Sequence, residues 1–584
     1  MKKITIILLL LISTILAGCR LIPSQPAPQP TITSTASPDI SPTTTPAPTN
    51  TPNPTATQTA TATPAPDFTV RVHPDGGLYV GDQVSFEILL PKGVEVSASS
   101  KLAVIVDGKP LDYGGYNPFG YFGIGGRYQA TLPWVWDTSD MQAGDVPVTF
   151  SIEPENITWQ ETVTLHPAAQ VPPPEPKVRW AHEESDCCLF YYITNTEGAR
   201  DIESITKIAD HEAEQVSSQM KTDFSEPVIV NLIPRVLGHG GFAWKEISIS
   251  YLDRNFAGND LGNVLHHEMV HILDERSGKD TRPTIFVEGL AVYLTGGHFK
   301  KEPLIPRAAA LLDPKIQENG LGMYIPLKEL ADDFYHSQHE IGYLEAASLV
   351  EYLVDTYGRD AFFDFYHSTD LEQVNESKEV TYIADSKAID SALQEHFKIS
   401  FRQLEKDFIE HLINIDVDPR NADDVRLLVD YYNIVRQYEQ ILDPSAYFLN
   451  AWMPDLDYMR QSGIVADYVR HPATPENIAV EAMMMSAHTL LLEKNYEAME
   501  TVMDALHKTL GAFEQGKRHP FESSPLANDY YQITRLMHDN GLVVQTITIE
   551  NDKATVIATT GWADEKTYSP EKKDGNWVLP KTDD

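Results

Sequence analysis

From Ile22 to Pro66 the chain is almost entirely proline, threonine, serine and alanine, as in PTTTPAPTNTPNPTATQTATATPAP. A segment of this kind has no apolar surface to bury and stays extended, so every folded element must lie beyond it. A second, stiffer break, VPPPEPK at 171–177, separates two patterns within the remainder. Before it, over 67–170, runs such as FTVRV, QVSFEILL, KLAVIVDG, VPVTFSI and ETVTLHP alternate apolar with polar residues between glycine, proline and aspartate turns. That spacing predicts an all-β sandwich. After the break, FYYITN, PVIVNLIP and EISISYL read as strands, DIESITKIADHEAEQVSSQM reads as a helix, and the chain is mostly helical from Asp260 onward. The expected architecture is therefore multidomain: the sandwich, a central α+β domain over 178–413, a mainly helical region over 414–515, and a small α+β module over 516–584. The last of these ends in a β meander with turns at Asn551-Asp552 and Asp574-Gly575.

The N-terminal residues MKKITIILLLLISTILAGC carry two lysines and then an apolar run too short to span a bilayer, as in an export signal over 1–18. Leu16, Ala17, Gly18 and Cys19 resemble a bacterial lipoprotein box. The resemblance implies cleavage before Cys19, a lipid on that cysteine, and a proline- and threonine-rich stalk over 19–66 that holds the body at the outer face of a bacterial membrane. Across its 584 residues, 45 Lys and Arg stand against 84 Asp and Glu, a formal charge of −39. Such a charge repels phosphate backbones, so nucleic acid is not an expected partner.

The stretch LHHEMVHILDE, residues 265–275, carries the chemistry. On a helix, residues four apart project side by side, so His267 and His271 can offer two imidazole nitrogens to one ion. Glu268, one step round, can accept a proton from water at that ion without binding it. A third ligand is needed. The HxxGxxH continuation is absent, because Asp274 and Ser277 occupy its last two positions, but PTIFVEGLAVYLTGG at 283–297 places Glu288 on a following helix. Gly289 and Ala291 beside it are small enough to let that helix pack closely on the first.

His267, Glu268, His271 and the Glu288-Gly289-Leu290-Ala291 block resemble the gluzincin metallopeptidases of the peptidase MA-like family. The resemblance implies that His267, His271 and Glu288 hold Zn2+, that Glu268 is the general base, and that the substrate is a peptide or protein. It further implies that Tyr343, at the start of GYLEAASLVEYLVDTYG, donates a hydrogen bond to the oxyanion, with His336 and His339 as alternatives. Two features depart from relatives. The GxMEN motif of gluzincin aminopeptidases is missing, which favours internal cleavage, and Val292 stands where some relatives orient a histidine with an aspartate, a task Asp274 could take instead. The strand GGFAWKEISISY, 240–251, offers an edge along which an extended peptide could pair, or is an ordinary core strand after a glycine turn, and the aromatic, glycine-rich segment 113–128 reads as a long loop packed on its own domain or the next, with a ligand-binding loop as the alternative. Cys187 and Cys188 could form a vicinal disulfide, pair between chains or remain thiols. The competing functional class is a catalytically silent binding or scaffold lipoprotein that keeps the peptidase fold.

Overall fold

The computed structural model describes residues 68–580 except 92, 98, 112–117, 123–126, 236–239, 259, 278–280, 375–379, 451–455 and 561–564. The export signal, Cys19 and the stalk lie outside the described residues, as do parts of the segment 113–128. Sheets dominate the N-terminal half and helices the C-terminal half of a multidomain chain, in line with the patterning of the sequence. Among the described residues, no helix is long and apolar enough to cross a membrane.

The first domain stacks two sheets. One has strand order β1-β3-β7-β6 and the other β2-β9-β8-β4-β5. The strands are β1 (Thr69–His73), β2 (Leu78–Tyr79), β3 (Gln83–Leu89), β4 (Lys101–Val106), β5 (Lys109–Pro110), β6 (Phe119–Phe122), β7 (Arg127–Asp137), β8 (Gly144–Glu153) and β9 (Ile157–His166). Alternation does the sorting: Val146, Val148, Phe150 and Ile152 of β8 meet Val84, Phe86 and Ile88 of β3 in the core between the sheets. Two strands, β6 and β7, emerge from within and beyond the segment expected to be a loop, because Phe119, Phe122 and Ala130 find buried positions that a surface loop would not supply.

The other face of β3 is buried as well. Ser85 and Glu87 are fully covered, although their alternation points them away from the sandwich core. What covers them is a segment more than 350 residues later in the chain. His73 Nδ1 lies 2.7 Å from Ser445 Oγ while its Nε2 lies 3.0 Å from Glu87, Trp134 Nε1 donates to Asp467 at 2.9 Å, and Arg470 forks onto Asp82 at 2.7 and 2.8 Å. Apolar contact reinforces this polar joint through Phe122, Tyr447, Phe448 and Tyr468. The sandwich is thereby fastened to the body of the molecule.

The central domain has a five-stranded sheet of order β10-β11-β12-β14-β13, built from β10 (Trp180–Glu184), β11 (Cys188–Ile193), β12 (Val228–Ile233), β13 (Gly241–Ala243) and β14 (Ile247–Ser250). The strands β11, β12 and β14 run parallel, and β13 returns antiparallel along the edge. Cys187 and Cys188 are bonded to each other at the start of β11, and the Cys187 N–H donates to Asp210 Oδ1 at 2.9 Å. Asp210 belongs to α1 (Glu197–Met220), whose Ile205, Ala209, Ala213 and Val216 form the buried helical stripe. Next come α2 (Leu261–Ser277) and α3 (Thr284–Thr295), followed by α4 (Leu304–Ala309), α5 (Leu327–Asp332), a 3-10 turn at Phe334–His336, α6 (His339–Tyr357) and α7 (Arg359–Ser368). A β15 (Glu372–Val374) and β16 (Val380–Tyr382) hairpin precedes α8 (Asp385–His396) and α9 (Phe401–Ile413).

Gly289 packs toward a different neighbour from the one its position suggested. A Cβ there would lie 2.6 Å from the Ala346 carbonyl oxygen and 3.1 Å from Val350, so its smallness serves contact between α3 and α6 rather than between α3 and α2. Gly289→Ala must separate the two helices. Overpacking of this kind costs about 1–3 kcal/mol, and chemical denaturation is expected to show a loss in that range.

The C-terminal region begins with α10 (Pro419–Leu442), capped by the Asp418 carboxylate, which accepts from the Arg420 N–H at 2.9 Å. It continues through α11 (Pro444–Asn450), α12 (Leu456–Ser462), α13 (Ala466–Val469), α14 (Pro475–Leu492), α15 (Tyr496–Glu514) and α16 (Pro525–Asp539). A final five-stranded sheet contains β17 (Val543–Glu550), β18 (Lys553–Thr559), β19 (Lys566–Tyr568), β20 (Glu571–Lys573) and β21 (Asn576–Val578). Its inner face shares one core with α14, α15 and α16.

Candidate metal centre

The helix α2 starts where the Asp260 carboxylate accepts the Asn263 N–H at 2.9 Å, satisfying one of the free donors of the first turn. Its faces divide the labour of the three consecutive polar residues His266, His267 and Glu268. His266 turns to α1, with its two ring nitrogens 2.8 Å from Glu212 and 2.9 Å from Gln219, and is a structural residue. His267 turns the other way and meets His271 with their Nε2 atoms 3.0 Å apart. From α3, Glu288 Oε2 approaches to 3.4 Å from His267 Nε2 and 3.2 Å from His271 Nε2.

These three edges form a small triangle of donors. Bonds of about 2.0–2.1 Å from one ion at tetrahedral angles require donor separations of about 3.3 Å, and the observed 3.0, 3.2 and 3.4 Å bracket that value. The donor set therefore fits a dication without rearrangement. Glu268 lies beside the triangle, within 4.8 Å of the donor atoms of the two histidines, and its carboxylate also accepts a backbone hydrogen bond from Ala243 of the edge strand.

Burial governs the electrostatics. It pushes the Glu268 carboxyl up to about 8, the Glu288 charge adding to the effect and His271 opposing it. Burial also pulls on His271, but the charge and hydrogen bond of Glu288 outweigh it and raise this imidazole to about 9. Conversely, the burial of Glu288 is overcome by the His271 charge and by hydrogen bonding with both histidines, which hold its carboxyl well below the usual range. Burial lowers His267.

Gly241 of β13 sets the position of Glu268. A Cβ on residue 241 would fall 2.7 Å from Glu268 Oε1 and 2.6 Å from Val264 Cγ1, so only glycine leaves the carboxylate its place. Gly241→Ala must push the Glu268 carboxylate and the Val264 side chain aside; overpacking of this kind costs about 1–3 kcal/mol, and chemical denaturation is expected to show a loss in that range.

Two phenols meet at Glu288. Tyr343 is only 2 % exposed, its ring stacked 4.1 Å from His298 and packed on His339 and Phe334, and its hydroxyl hydrogen-bonds with Glu288. Burial and the nearby carboxylates push this phenol well above its usual range, so it remains a proton donor. Tyr335, on the 3-10 turn, is 56 % exposed and donates to Glu288 Oε1 at 2.8 Å. Tyr335 has no signature in the sequence, since a tyrosine in a short irregular turn shows no periodicity. The same holds for His298, whose ring stacks on His267 at 5.5 Å and 14°.

The other expected residues are spread around this centre. His339 packs against Tyr343, whereas His336 pairs with Asp333 at 2.5 Å and points its ring toward Tyr121 of the sandwich, 6.1 Å away. Asp274 accepts from Tyr366 at 2.5 Å and pairs with Arg282 at 2.7 Å, tying the end of α2 to α7, and it acts on His271 through its charge. Val292 is fully buried in the apolar core. The segment 240–251 supplies the edge strand β13, which packs beside α2. No protein-family model matches the chain, and no curated protein matches it in sequence.

Proposed function

We propose that the protein is a zinc-dependent endopeptidase of gluzincin type, exported and held at the cell surface by a lipid on Cys19. The observation that carries this reading is the triangle of His267 Nε2, His271 Nε2 and Glu288 Oε2, with the Glu268 carboxylate beside it. A lone pair of buried histidines would need other partners to offset desolvation. Here both are turned on one point together with a carboxylate.

The three ligands would hold the ion, which when bound supplies Lewis acidity to a carbonyl oxygen and acidifies water. Glu268 takes the proton of the attacking water and passes it to the departing amine. Its high apparent basicity in the metal-free protein comes from burial and from Glu288, and the positive charge of an ion acts in the opposite sense, restoring the ionised base. The developing oxyanion needs a donor. Tyr335 is the more open of the two phenols, while Tyr343 is enclosed by His298, His339 and Phe334 and steadies Glu288. The edge strand β13 can take an extended peptide by main-chain pairing, which positions a carbonyl while reading little side-chain identity.

The test is zinc analysis of the purified protein together with hydrolysis of an unfolded protein such as reduced casein. About one zinc per chain and cleavage within the substrate are expected. A protein that binds zinc tightly yet cleaves nothing supports the silent binding lipoprotein instead.

A further inference from the structure

A cavity of about 480 Å³ opens between the sandwich, the start of α6 and α10. Its volume is in the range of small-molecule and side-chain subsites. The sandwich contributes Arg71 and Arg127, α10 contributes Arg436, and Ser337, Gln338 and His339 add a further wall, His339 packing on the Tyr343 that meets Glu288. Ser337 follows Tyr335 by two residues, so their Cα atoms are at most about 7 Å apart. The same short segment thus lines the cavity and carries the phenol bonded to Glu288.

The lining is cationic in a protein whose formal charge is −39. The lining residues include three arginines and one carboxylate, that of Glu514, which is exposed and already accepts from Gln437 at 2.9 Å. Arg436 is matched by a bidentate pair with buried Glu340 at 2.9 and 3.0 Å, and Arg127 reaches Glu87 at 3.2 Å. Glu87 is shared, since His73 and Gln129 bond to it as well. Arg71 is the cation left over. Its Nη2 donates to the Gln440 carbonyl at 2.9 Å, whereas its Nη1 is buried with no hydrogen-bond partner among the described residues. Glu87 and Asp75 act on it only through their charge, and Arg127 repels it.

We infer that this cavity is a substrate subsite that receives a carboxylate of the peptide undergoing cleavage, with Arg71 as its principal contact. The inference rests on the peptidase reading, because a shared wall with the metal centre is what makes the occupant part of the substrate. A guanidinium fork matches a carboxylate in geometry and charge. The carboxylate can belong to an acidic side chain or to the chain end, and both present the same planar anion.

Binding distinguishes these sources without turnover. Full-length, zinc-loaded Glu268→Gln protein is titrated with end-capped fluorescent peptides in which a single Glu is walked along a neutral sequence, with the Gln counterparts, and with the neutral sequence ending in a free carboxylate. The expected result is a peptide with Glu at one position, or with the free terminus, that binds about tenfold more tightly than its neutral counterpart. Arg71→Gln and Arg71→Met remove that preference and leave the Kd of the neutral peptide unchanged, whereas Arg71→Lys retains part of it. Arg436 is unsuitable for the test, because its removal would strand buried Glu340. Equal binding of charged and neutral peptides at every position overturns the inference, as does a preference that survives both neutral substitutions of Arg71. If wild type still cleaves casein in that case, only the subsite is lost. A wild-type protein that neither binds nor cleaves any peptide overturns the peptidase reading together with the subsite.

Discussion

Glu268→Gln is expected to keep its zinc and lose activity by about 10²–10⁴-fold, the range for removal of a positioned general base. The amide is nearly isosteric, so the contact with Gly241 survives, but it cannot take a proton. Glu268 is 2 % exposed and lies within 4.8 Å of the donor atoms of His267 and His271; in the proposed reading Glu288 completes the ligand set, which leaves the Glu268 charge free for proton transfer. The measurement is metal stoichiometry and kcat for wild type and variant from the same preparation. Equal activity would remove Glu268 from the mechanism, and loss of zinc would make it a ligand.

Glu288→Ala is expected to have the opposite signature: activity and metal are lost together. The substitution deletes one of three converging donors and strips His271 of the charge that holds its pKa at about 9. Loss of a group that merely orients a ligand lowers metal affinity by about 10- to 100-fold, and loss of a ligand itself should exceed this in a competition with a chromophoric chelator. The same assay gives a pH dependence for wild type. Below about 9 the metal-free His271 carries a proton that must leave before it can bind the ion. Apparent zinc affinity is therefore expected to rise with pH from 6.5 to 8.5, by about tenfold per unit for one released proton. A flat profile over that window would show that the ion enters a site already deprotonated.

The two predictions differ in how legible their residues were. The spacing of His267, Glu268 and His271 follows from one turn of helix, and any chain that forms α2 must place the two imidazoles on one face. Glu288 was readable as a carboxylate on a following helix, but nothing local brings it within 3.4 Å of both nitrogens; the packing of α2 and α3 does. Tyr335 was not legible, because its place depends on a single 3-10 turn between α5 and α6. The segment 113–128 misled for a related reason. Glycines and aromatics give no alternation, so strand pairing of Tyr121 with Tyr128 is visible only in the folded sheet.

By itself the sequence determined where the chain can fold, the periodicities that sort strands from helices, and the face of α2 that presents two histidines and a carboxylate. These are consequences of local backbone geometry and of side chains at fixed intervals. Only the tertiary structure decided that β13 runs at the sheet edge against Glu268, that Gly289 serves α6, and that Arg71, Arg127 and Arg436 line one cavity together with His339. Each of these joins residues from distant parts of the chain. Their proximity is selected by burial and charge pairing summed over whole domains, and contacts of that range leave no period in the sequence to read.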